Sequence, residues 1–491
     1  MRRLLIRTAV AVGTLALLVA VGIVAKAWFD SRLPDSYSAM EFGQVDYGGG
    51  PPQDHAGHQL VSVETLRGPT AKPDFRTTLV AKKAEVRLAT GRTFSGWTFN
   101  GQVPGPELRV RQGNVVEVTL VNQDVDEGVT IHWHGVDVPN AEDGVAGVTQ
   151  NAVMPGERYT YRFRADQVGT FWYHSHQVAS KQVRRGLYGA FVIEPKARPR
   201  ARQLDLTAIA HDFSGRVAFG TYDGVQGRPV APGTRVRLRL VNTNNTPEGF
   251  LLEGTPCRVV AIDGTDLNGP TPVENKLLVL GGGARYDIAF TMPRYSVRLG
   301  IDGTRTALVL QADPGDRQTR ASTGVPEDFD PLGYGKPRPT LFDSTTHYDR
   351  TFELDIGRRV GFINGRPGYH WAINGRLFPE TPMLMVRRGD LVKMRIVNNS
   401  GSLHPMHLHG HHLLVLSRNG TKNTGSPWWV DTLDVLKDEE YEVAFRADNP
   451  GIWMDHCHNL PHARDGLTMH VAYEGVGTPF RLGDGPDNHP E

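Results

Sequence analysis

One sequence pattern occurs three times in this chain and limits the folds that it can adopt. In each copy a glycine turn is followed by residues that alternate between apolar and polar, and each copy ends in Val-Asn. Alternation with a period of two is typical of a strand that buries one face. The copies are LRVRQGNVVEVTLVN (108–122), VAPGTRVRLRLVN (230–242) and LMVRRGDLVKMRIVN (384–398). The chain therefore contains three related β units.

Two further pairs of similar segments relate the first unit to the third. FNGQVPGP from Phe99 matches INGRLFPE from Ile373, and GTFWYHSH (169–176) matches GIWMDHCH (451–458). Long amphipathic helices are hard to find, and 55 Gly and 33 Pro suit a turn-rich protein. We predict an all-β fold of three Greek-key β-sandwich domains at 76–196, 197–340 and 341–491. The boundaries are placed near PKARPRAR (195–202), which is a predicted linker, and near YGKPRP (334–339).

The N-terminus predicts export. Arginines at positions 2, 3 and 7 precede an uncharged, mostly apolar run (8–25) that Lys26 ends. This pattern predicts a membrane anchor over 1–27 with its arginine side in the cytoplasm, and a signal sequence cleaved near Ala25 and Ala27 is the alternative. The protein is therefore expected at the extracytoplasmic face of the membrane, or secreted if the segment is cleaved. Residues 28–75, which include YGGGPPQDHAGH (47–58), are predicted to be a flexible linker.

Charge excludes one class of partner. Lys plus Arg is 54 and Asp plus Glu is 53, so the chain lacks the basic surplus of a nucleic-acid-binding protein. The two cysteines, Cys257 and Cys457, cannot form a disulfide framework. If Cys457 has another role, Cys257 is expected to be a buried free thiol. No oligomeric state is predicted.

Four His-x-His pairs indicate a metal cluster. On a strand, residues i and i+2 point to the same side, roughly 6.5 Å apart, so each pair presents two imidazoles to one cavity. Two pairs lie in the first unit and two in the third, and eight converging imidazoles suit two or three metal ions rather than one. A site of imidazoles without carboxylates favours Cu, Zn, Fe or Ni over Mg or Ca. The pairs are His132/His134, His174/His176, His407/His409 and His456/His458.

Cys457 predicts a second metal site. It lies between His456 and His458, so on a strand its sulfur points to the opposite face from their rings. His404 and His462 are its natural partners, and one thiolate with two imidazoles is typical of a blue-copper electron-transfer site. This arrangement predicts a relay in which an electron enters at Cys457 and passes through the backbone to the cluster.

These motifs resemble the copper motifs of three-domain, laccase-like multicopper oxidases. HWHG, HSH, HPMHLHG and HCHNLPH carry the resemblance, which extends over about 75–475. It implies three tandem cupredoxin-like domains, four copper ions, one-electron oxidation of a substrate at a type 1 copper, and reduction of dioxygen to water at a trinuclear cluster. It also implies type 1 copper on His404, Cys457 and His462, type 2 copper on His132 and His407, and the type 3 pair on His134, His174, His176, His409, His456 and His458.

The resemblance also identifies departures from the family pattern. Leu467 occupies the type 1 axial position, where many bacterial members have Met, and it is expected to raise the reduction potential. Met469 is not assigned a role. Asp143 matches the carboxylate that the family keeps beside the type 2 site, and it is the expected acid for proton delivery. A second acid found in some members is missing after the last motif, leaving Asp455 and Asp465 as possible substitutes.

The leading functional hypothesis is an exported copper oxidase of laccase type. Its partners are expected to be dioxygen, a phenol or aromatic amine, and the membrane through the N-terminal segment. The alternatives are a metallo-oxidase acting on Cu(I), Fe(II) or Mn(II), and a copper nitrite reductase. The ten Met are scattered rather than gathered in an insert, which weakens the Cu(I) version. Trp428 and Trp429 are candidates for lining the type 1 pocket.

Overall fold

The computed structural model describes residues 2–51, 60–197, 203–313, 315, 319, 324–343, 345–483 and 487–491. The predicted linker stretches 52–59 and 198–202 lie outside the described residues. Helix α1 (Arg2–Asp30) opens the chain, and its segment Leu5–Asp30 is long and apolar enough to cross a membrane. None of its apolar window is buried against the rest of the protein. Two short strands follow, β1 (Gln44–Asp46) and β2 (Val61–Ser62), and then a 3₁₀ turn, Val63–Thr65.

The first domain consists of two four-stranded sheets, ordered β4-β3-β6-β8 and β5-β10-β9-β7. A 3₁₀ turn, Asn140–Glu142, and helix α2 (Ala179–Arg185) lie in its connections. Its strands are β3 (Phe75–Arg87), β4 (Thr93–Phe99), β5 (Gly105–Arg111), β6 (Val115–Asn122), β7 (His132–His134), β8 (Arg158–Arg164), β9 (Gly169–His174) and β10 (Tyr188–Glu194).

The second domain consists of two six-stranded sheets, ordered β12-β11-β14-β19-β16-β17 and β13-β21-β20-β15-β18-β22. Its strands are β11 (Gln203–Asp212), β12 (Val217–Phe219), β13 (Val225–Pro229), β14 (Arg235–Asn242), β15 (Glu248–Glu253), β16 (Arg258–Ile262), β17 (Thr265–Asp266), β18 (Lys276–Leu280), β19 (Arg285–Thr291), β20 (Val297–Ile301), β21 (Ala307–Gln311) and β22 (Glu327–Asp328).

The third domain pairs a sheet ordered β24-β23-β26-β32-β28-β29, with β30 beside β28, against a sheet ordered β1-β25-β34-β33-β27-β31. Helix α3 (Leu460–Arg464) follows β33, and β35 pairs with β2. Its strands are β23 (Arg350–Ile363), β24 (Arg366–Ile373), β25 (Pro382–Val386), β26 (Leu391–Asn398), β27 (His404–Leu408), β28 (Leu413–Arg418), β29 (Thr421–Lys422), β30 (Trp429–Val430), β31 (Thr432–Val435), β32 (Glu440–Arg446), β33 (Ile452–Cys457), β34 (Thr468–Tyr473) and β35 (Val476–Gly477).

The three repeated Val-Asn strands, β6, β14 and β26, occupy the same place in their sheets. Each pairs in parallel with the first long strand of its domain and antiparallel with a later one. The closing residues Asn122, Asn242 and Asn398 are fully buried. Each side-chain amide donates to one backbone carbonyl three or four residues further on and to another that is more than 30 residues away in the sequence. The repeated Asn therefore satisfies backbone groups that would otherwise be buried without partners. The predicted all-β, cupredoxin-like fold is confirmed, while the exact domain boundaries stay predictions.

The expectation of a mobile tether is wrong for the described part of the linker. β1 pairs in parallel with β25, and Tyr37 forms a bridge with Leu482. Arg350, which is almost fully buried, donates to the carbonyl of Tyr47 at 2.9 Å. Composition predicted flexibility, but the backbone of this segment completes the edge of a sheet, which satisfies its hydrogen bonds.

Candidate metal centre

Two pairs of adjacent strands place the predicted histidines. In the first domain β7 pairs with β9, so that His132 lies opposite His174. In the third domain β27 pairs with β33, so that His407 lies opposite His456 and Met406 lies opposite Cys457. The strands that carry the histidines are fully buried, and the two domains bring their rings to one shared cavity.

All eight histidines of the predicted cluster meet at this interface between the first and third domains. The Nε2 atoms of His132 and His407 are 3.3 Å apart, and those of His409 and His456 are 3.2 Å apart. His176 Nε2 lies 3.5 Å from His456 Nε2. The rings of His134 and His458 are also in contact, with centroids 4.8 Å apart. The eight side chains therefore form a single group of imidazoles.

The protonation of these rings suits a bound cation. The Nδ1–H groups of His132, His174 and His407 can each donate to a backbone carbonyl at 2.9–3.0 Å, which directs Nε2 toward the neighbouring rings. Two neutral Nε2 atoms that face each other then present only lone pairs, and a metal ion between them satisfies both. Burial is the main cause that lowers the pKa of most of the rings, and repulsion from neighbouring imidazoles is the second. The rings therefore stay neutral and able to bind metal.

Several buried ring nitrogens have no hydrogen-bond partner within the described residues. Among them are Nε2 of His174 and both ring nitrogens of His458. An unpaired polar atom in a buried site costs free energy, unless a metal ion or water satisfies it. The residues present therefore fit a cluster of metal ions.

A second group lies on the other side of the same strands. Cys457 Sγ is 3.5 Å from His404 Nδ1 and 3.8 Å from His462 Nδ1, and the two nitrogens are 3.3 Å apart. Burial lowers the pKa of His404 to about 3 and that of His462 to about 4, and Arg358 adds to both effects. Burial raises the pKa of the Cys457 thiol well above its usual value, so the thiolate forms only when a cation replaces the proton.

Strand alternation separates the two groups. His404 and His407 are three residues apart on β27, so they point to opposite faces, and Cys457 and His456 do the same on β33. The segment that contains Cys457 is extended, as the relay requires. The Cys457 sulfur lies next to the His404 and His462 rings, while the His456 ring lies next to those of His176 and His409.

Asp143 lies where it can orient two rings of the cluster. Its carboxylate is 3.1 Å from His132 Nδ1 and 3.0 Å from His409 Nδ1, and the side chain is almost fully buried. Such a contact fixes the tautomer and the angle of a metal-binding ring. The sequence placed Asp143 beside the cluster, and the structure has it in contact with rings from both domains.

Sequence reasoning missed a buried ion pair beneath the cluster. Arg285 of the second domain forms a bidentate pair with Asp431, with both distances at 2.6 Å, and Asp263 accepts from the backbone N–H of Arg285 at 2.9 Å. Asp431 in turn contacts His134 Nε2 at 3.1 Å. Burial, together with repulsion from the Asp431 carboxylate, raises the pKa of Asp263 to about 7. The second domain thus supports the cluster without contributing a ring to it.

A third carboxylate reaches the cluster from an unexpected position. Glu491 Oε1 lies 3.1 Å from His456 Nδ1 and 3.8 Å from His176 Nε2. Burial raises its pKa well above the usual value. Of the two proposed substitutes, Asp465 is exposed and pairs with Arg464, and burial raises the pKa of Asp455 to about 8. No motif connected Glu491 to the histidines in the sequence.

His462 opens onto a cavity of about 1100 Å³. Trp371 forms part of its wall, with its ring centroid 4.3 Å from that of His462, and the Arg358 guanidinium stacks on Trp371 at 3.7 Å. The suggestion that Trp428 and Trp429 line this pocket is wrong. Trp428 packs near Tyr441 and Trp429 near Phe342, both outside the lining of the cavity.

The backbone of Leu467 is hydrogen-bonded to two residues of the proposed type 1 site. Its backbone accepts from the Cys457 N–H at 3.1 Å and donates to the His462 carbonyl at 2.9 Å, and its side chain is fully buried. Cys257 is a buried free thiol in the second domain, as expected. Its burial raises its pKa to about 12.

Comparison with known proteins agrees with this geometry. Multicopper oxidase family models match residues 80–198, 210–310 and 338–475. The chain is similar to laccase-2 of Botryotinia fuckeliana, with 28% identity over 77% of this chain and 78% of the laccase. It is also similar to the iron transport multicopper oxidase FET3 of Candida albicans, with 28% identity over 76% of this chain and 72% of that protein.

The chain is also similar in structure to a solved multicopper oxidase. The crystal structure of a multi-copper oxidase from Pseudomonas thermotolerans aligns with 82% of this chain and 100% of that one, at 30% identity and a TM-score of 0.66. The family-model matches extend over all three domains. The chain belongs to the multicopper oxidase family, an oxidoreductase family whose members bind four copper ions.

Proposed function

We propose that this multicopper oxidase is a membrane-anchored, exported enzyme of laccase type that oxidises phenols or aromatic amines and reduces dioxygen to water. The observation that carries this choice is the wall of the cavity at His462. An aromatic ring, Trp371, and a guanidinium, Arg358, lie beside His462, and the nearby Asp465 is already paired with Arg464. The cavity lining as a whole carries four arginines and four carboxylates. Beside His462, the Arg358 guanidinium disfavours a metal cation, and Trp371 can stack on an electron-rich substrate ring.

The proposed ligand sets follow the two groups of side chains. Bound copper supplies one-electron oxidation at the Cys457 site and the four-electron reduction of dioxygen at the histidine cluster. Cys457 connects the sites through its peptide bonds to His456 and His458. We propose type 1 copper on His404, Cys457 and His462, type 2 copper on His132 and His407, and the type 3 pair on His134, His174, His176, His409, His456 and His458.

The surrounding side chains orient and shield these ligands. Asp143 holds the His132 and His409 rings, and we propose it as the acid beside the cluster. The backbone carbonyl of Asp431 accepts from His407 Nδ1 at 2.9 Å. Trp172 packs against His134 and His174, with centroids 4.9 and 4.4 Å away, and excludes water from that side of the cavity.

A metallo-oxidase remains the second candidate, because FET3 of Candida albicans is about as similar as the laccase. Oxygen uptake by the copper-loaded, full-length protein separates the two. A phenol, Fe(II), Mn(II) and Cu(I) would be compared at equal concentration, alongside metal analysis and visible and EPR spectra. We expect kcat/KM for the phenol to exceed that for Fe(II) by about tenfold or more, since the Arg358 guanidinium next to His462 repels a cation that approaches this histidine. Rapid uptake with Fe(II) and none with the phenol would contradict the laccase assignment.

We expect Leu467→Met to lower the reduction potential of the type 1 site. A thioether at the axial position stabilises Cu(II), whereas leucine donates nothing and keeps the site apolar. The measurement is a potentiometric titration of the blue absorption band. Met469→Leu is the matched control, because Met469 is equally buried and lies two residues further along the chain. If the control changed the potential and Leu467→Met did not, Leu467 would not be the axial residue.

A further inference from the structure

A hairpin of the third domain connects the N-terminal helix to the proposed type 1 site. At its turn, the Trp28 indole N–H donates to the Gly365 carbonyl at 3.0 Å, and the Gly365 N–H donates to Ser31 Oγ at 3.0 Å. The Leu33 N–H also donates to Asn364 Oδ1 at 3.3 Å. The end of α1 is therefore fixed to the turn between β23 and β24.

The other end of the same hairpin holds the wall of the cavity. Arg358 on β23 lies opposite Trp371 on β24, and Trp371 contacts both His404 and His462. From Gly365 to Trp371 is about 20 Å along an extended strand. The anchor and the proposed electron-entry site are thus attached to one short, rigid element.

The cavity itself extends over this distance. It is lined at one end by Arg32, Leu33 and Pro34, which directly follow α1, and at the other by Trp371 and His462. Its volume of about 1100 Å³ is slightly above the range of roughly 300–1,000 Å³ usual for small-molecule sites. It therefore has room for an aromatic ring and part of an apolar tail.

The part of the hairpin surface that adjoins the cavity has the composition of a membrane interface. Val360 is 77% exposed and Tyr369 is 63% exposed, and they lie opposite each other in the strand register. Arg358 on the same face is also exposed and stacks on Tyr369 at 5.6 Å, and Arg366 is exposed next to the α1 contact. Exposed apolar and aromatic residues among arginines are typical of segments that lie at a lipid headgroup layer.

We propose that the type 1 cavity opens toward the membrane surface and takes a membrane-partitioned hydroquinone as its reductant. This inference rests on the proposed laccase-type function and anchor, and it names the substrate class. Two hydroquinones lose four electrons and four protons to become two quinones, and one dioxygen takes up all of them to become two waters. The bilayer concentrates a reductant with an apolar tail beside the entrance.

The first test measures where the hairpin lies. Val360→Cys would be labelled with an environment-sensitive fluorophore in the full-length protein, since Cys257 and Cys457 are buried. The protein would be reconstituted in phosphatidylcholine–phosphatidylglycerol vesicles that contain headgroup-level quencher lipids. We expect quenching at position 360 and none for Val325→Cys, a control that is 87% exposed on the second domain. Equal fluorescence at the two positions, with and without quencher, would overturn the proposal.

The second test compares two reductants with the same ring chemistry. Oxygen uptake by the copper-loaded protein in these vesicles would be measured with hydroquinone and with decylhydroquinone. We expect Val360→Glu to lower kcat/KM for decylhydroquinone by about fivefold, because a carboxylate is repelled by the anionic surface, and to leave the value for hydroquinone within about twofold. Val325→Glu should change neither.

The outcomes distinguish this inference from the function on which it rests. If hydroquinone were oxidised but Val360→Glu had no selective effect on decylhydroquinone, the membrane-facing entrance would be wrong and the laccase-type function would stand. If neither hydroquinone were oxidised by protein with a full copper content, the proposed function would fail, and this inference with it.

Discussion

Cys457→Ser will abolish the intense blue absorption and lower oxidase turnover by about a thousandfold or more, which corresponds to about 4 kcal/mol or more in the barrier. The thiolate is the donor that gives a blue site its character, and a serine oxygen is harder and far less acidic. Cys457 is also the residue that connects the type 1 site to His456 and His458 through the backbone. Visible and EPR spectra, copper content and oxygen uptake would measure the effect.

The chain offers a matched control for this substitution. Cys257 is also buried and free, but it lies in the second domain, away from both groups of histidines. Cys257→Ser should keep the colour and the turnover. Circular dichroism of both variants would establish that the fold is retained. Full turnover by a colourless, folded Cys457→Ser protein would contradict the relay through that residue.

Arg285→Met will lower the free energy of unfolding by about 3–5 kcal/mol, the effect expected when one partner of a buried ion pair is removed. Arg285 is fully buried and neutralises Asp431 and Asp263, which are also buried. Methionine leaves both carboxylates without their counterion. Because Asp431 contacts His134 and His407, copper content should fall as well. Denaturant titration and metal analysis would measure the two effects.

Arg395→Met is the control, because this arginine also pairs with two carboxylates but is 38% exposed in its side chain. Exposed pairs contribute about 0–1 kcal/mol, so the control should change stability little and copper content not at all. A loss of stability in Arg285→Met no larger than in the control would contradict the structural role of the buried pair.

Local patterns predicted the fold and the ring positions. The period-two alternation identified β6, β14 and β26, and the His-x-His spacing identified strands whose rings share a face. The relative placement of the domains did not follow from any local pattern. That is why the pairing of Arg285 with Asp431 beneath the cluster, and the contact of Glu491 with His456, were missed, since each joins positions that are distant in the sequence.

Trp371 could have been found from the repeat. It precedes INGR in the third unit as Trp97 precedes FNGQ in the first, and each tryptophan contacts the short helix after the second His-x-His motif of its domain. The same alignment places Val129, Ser175 and Ser180 where the third domain has His404, Cys457 and His462. The first domain thus keeps the scaffold of the blue site without its donors. This explains why the third domain has such a site among the described residues while the similar first domain does not.

The position of the histidine cluster between the first and third domains, with Arg285 of the middle domain beneath it, has a consequence for biosynthesis. The earliest and latest synthesised parts of the polypeptide must both be complete before the rings meet. Metal insertion into the histidine cluster therefore needs a polypeptide that contains both the first and the third domain. A product truncated before the third domain would lack half of the cluster and all three ligands of the proposed blue site, and it would be both colourless and inactive.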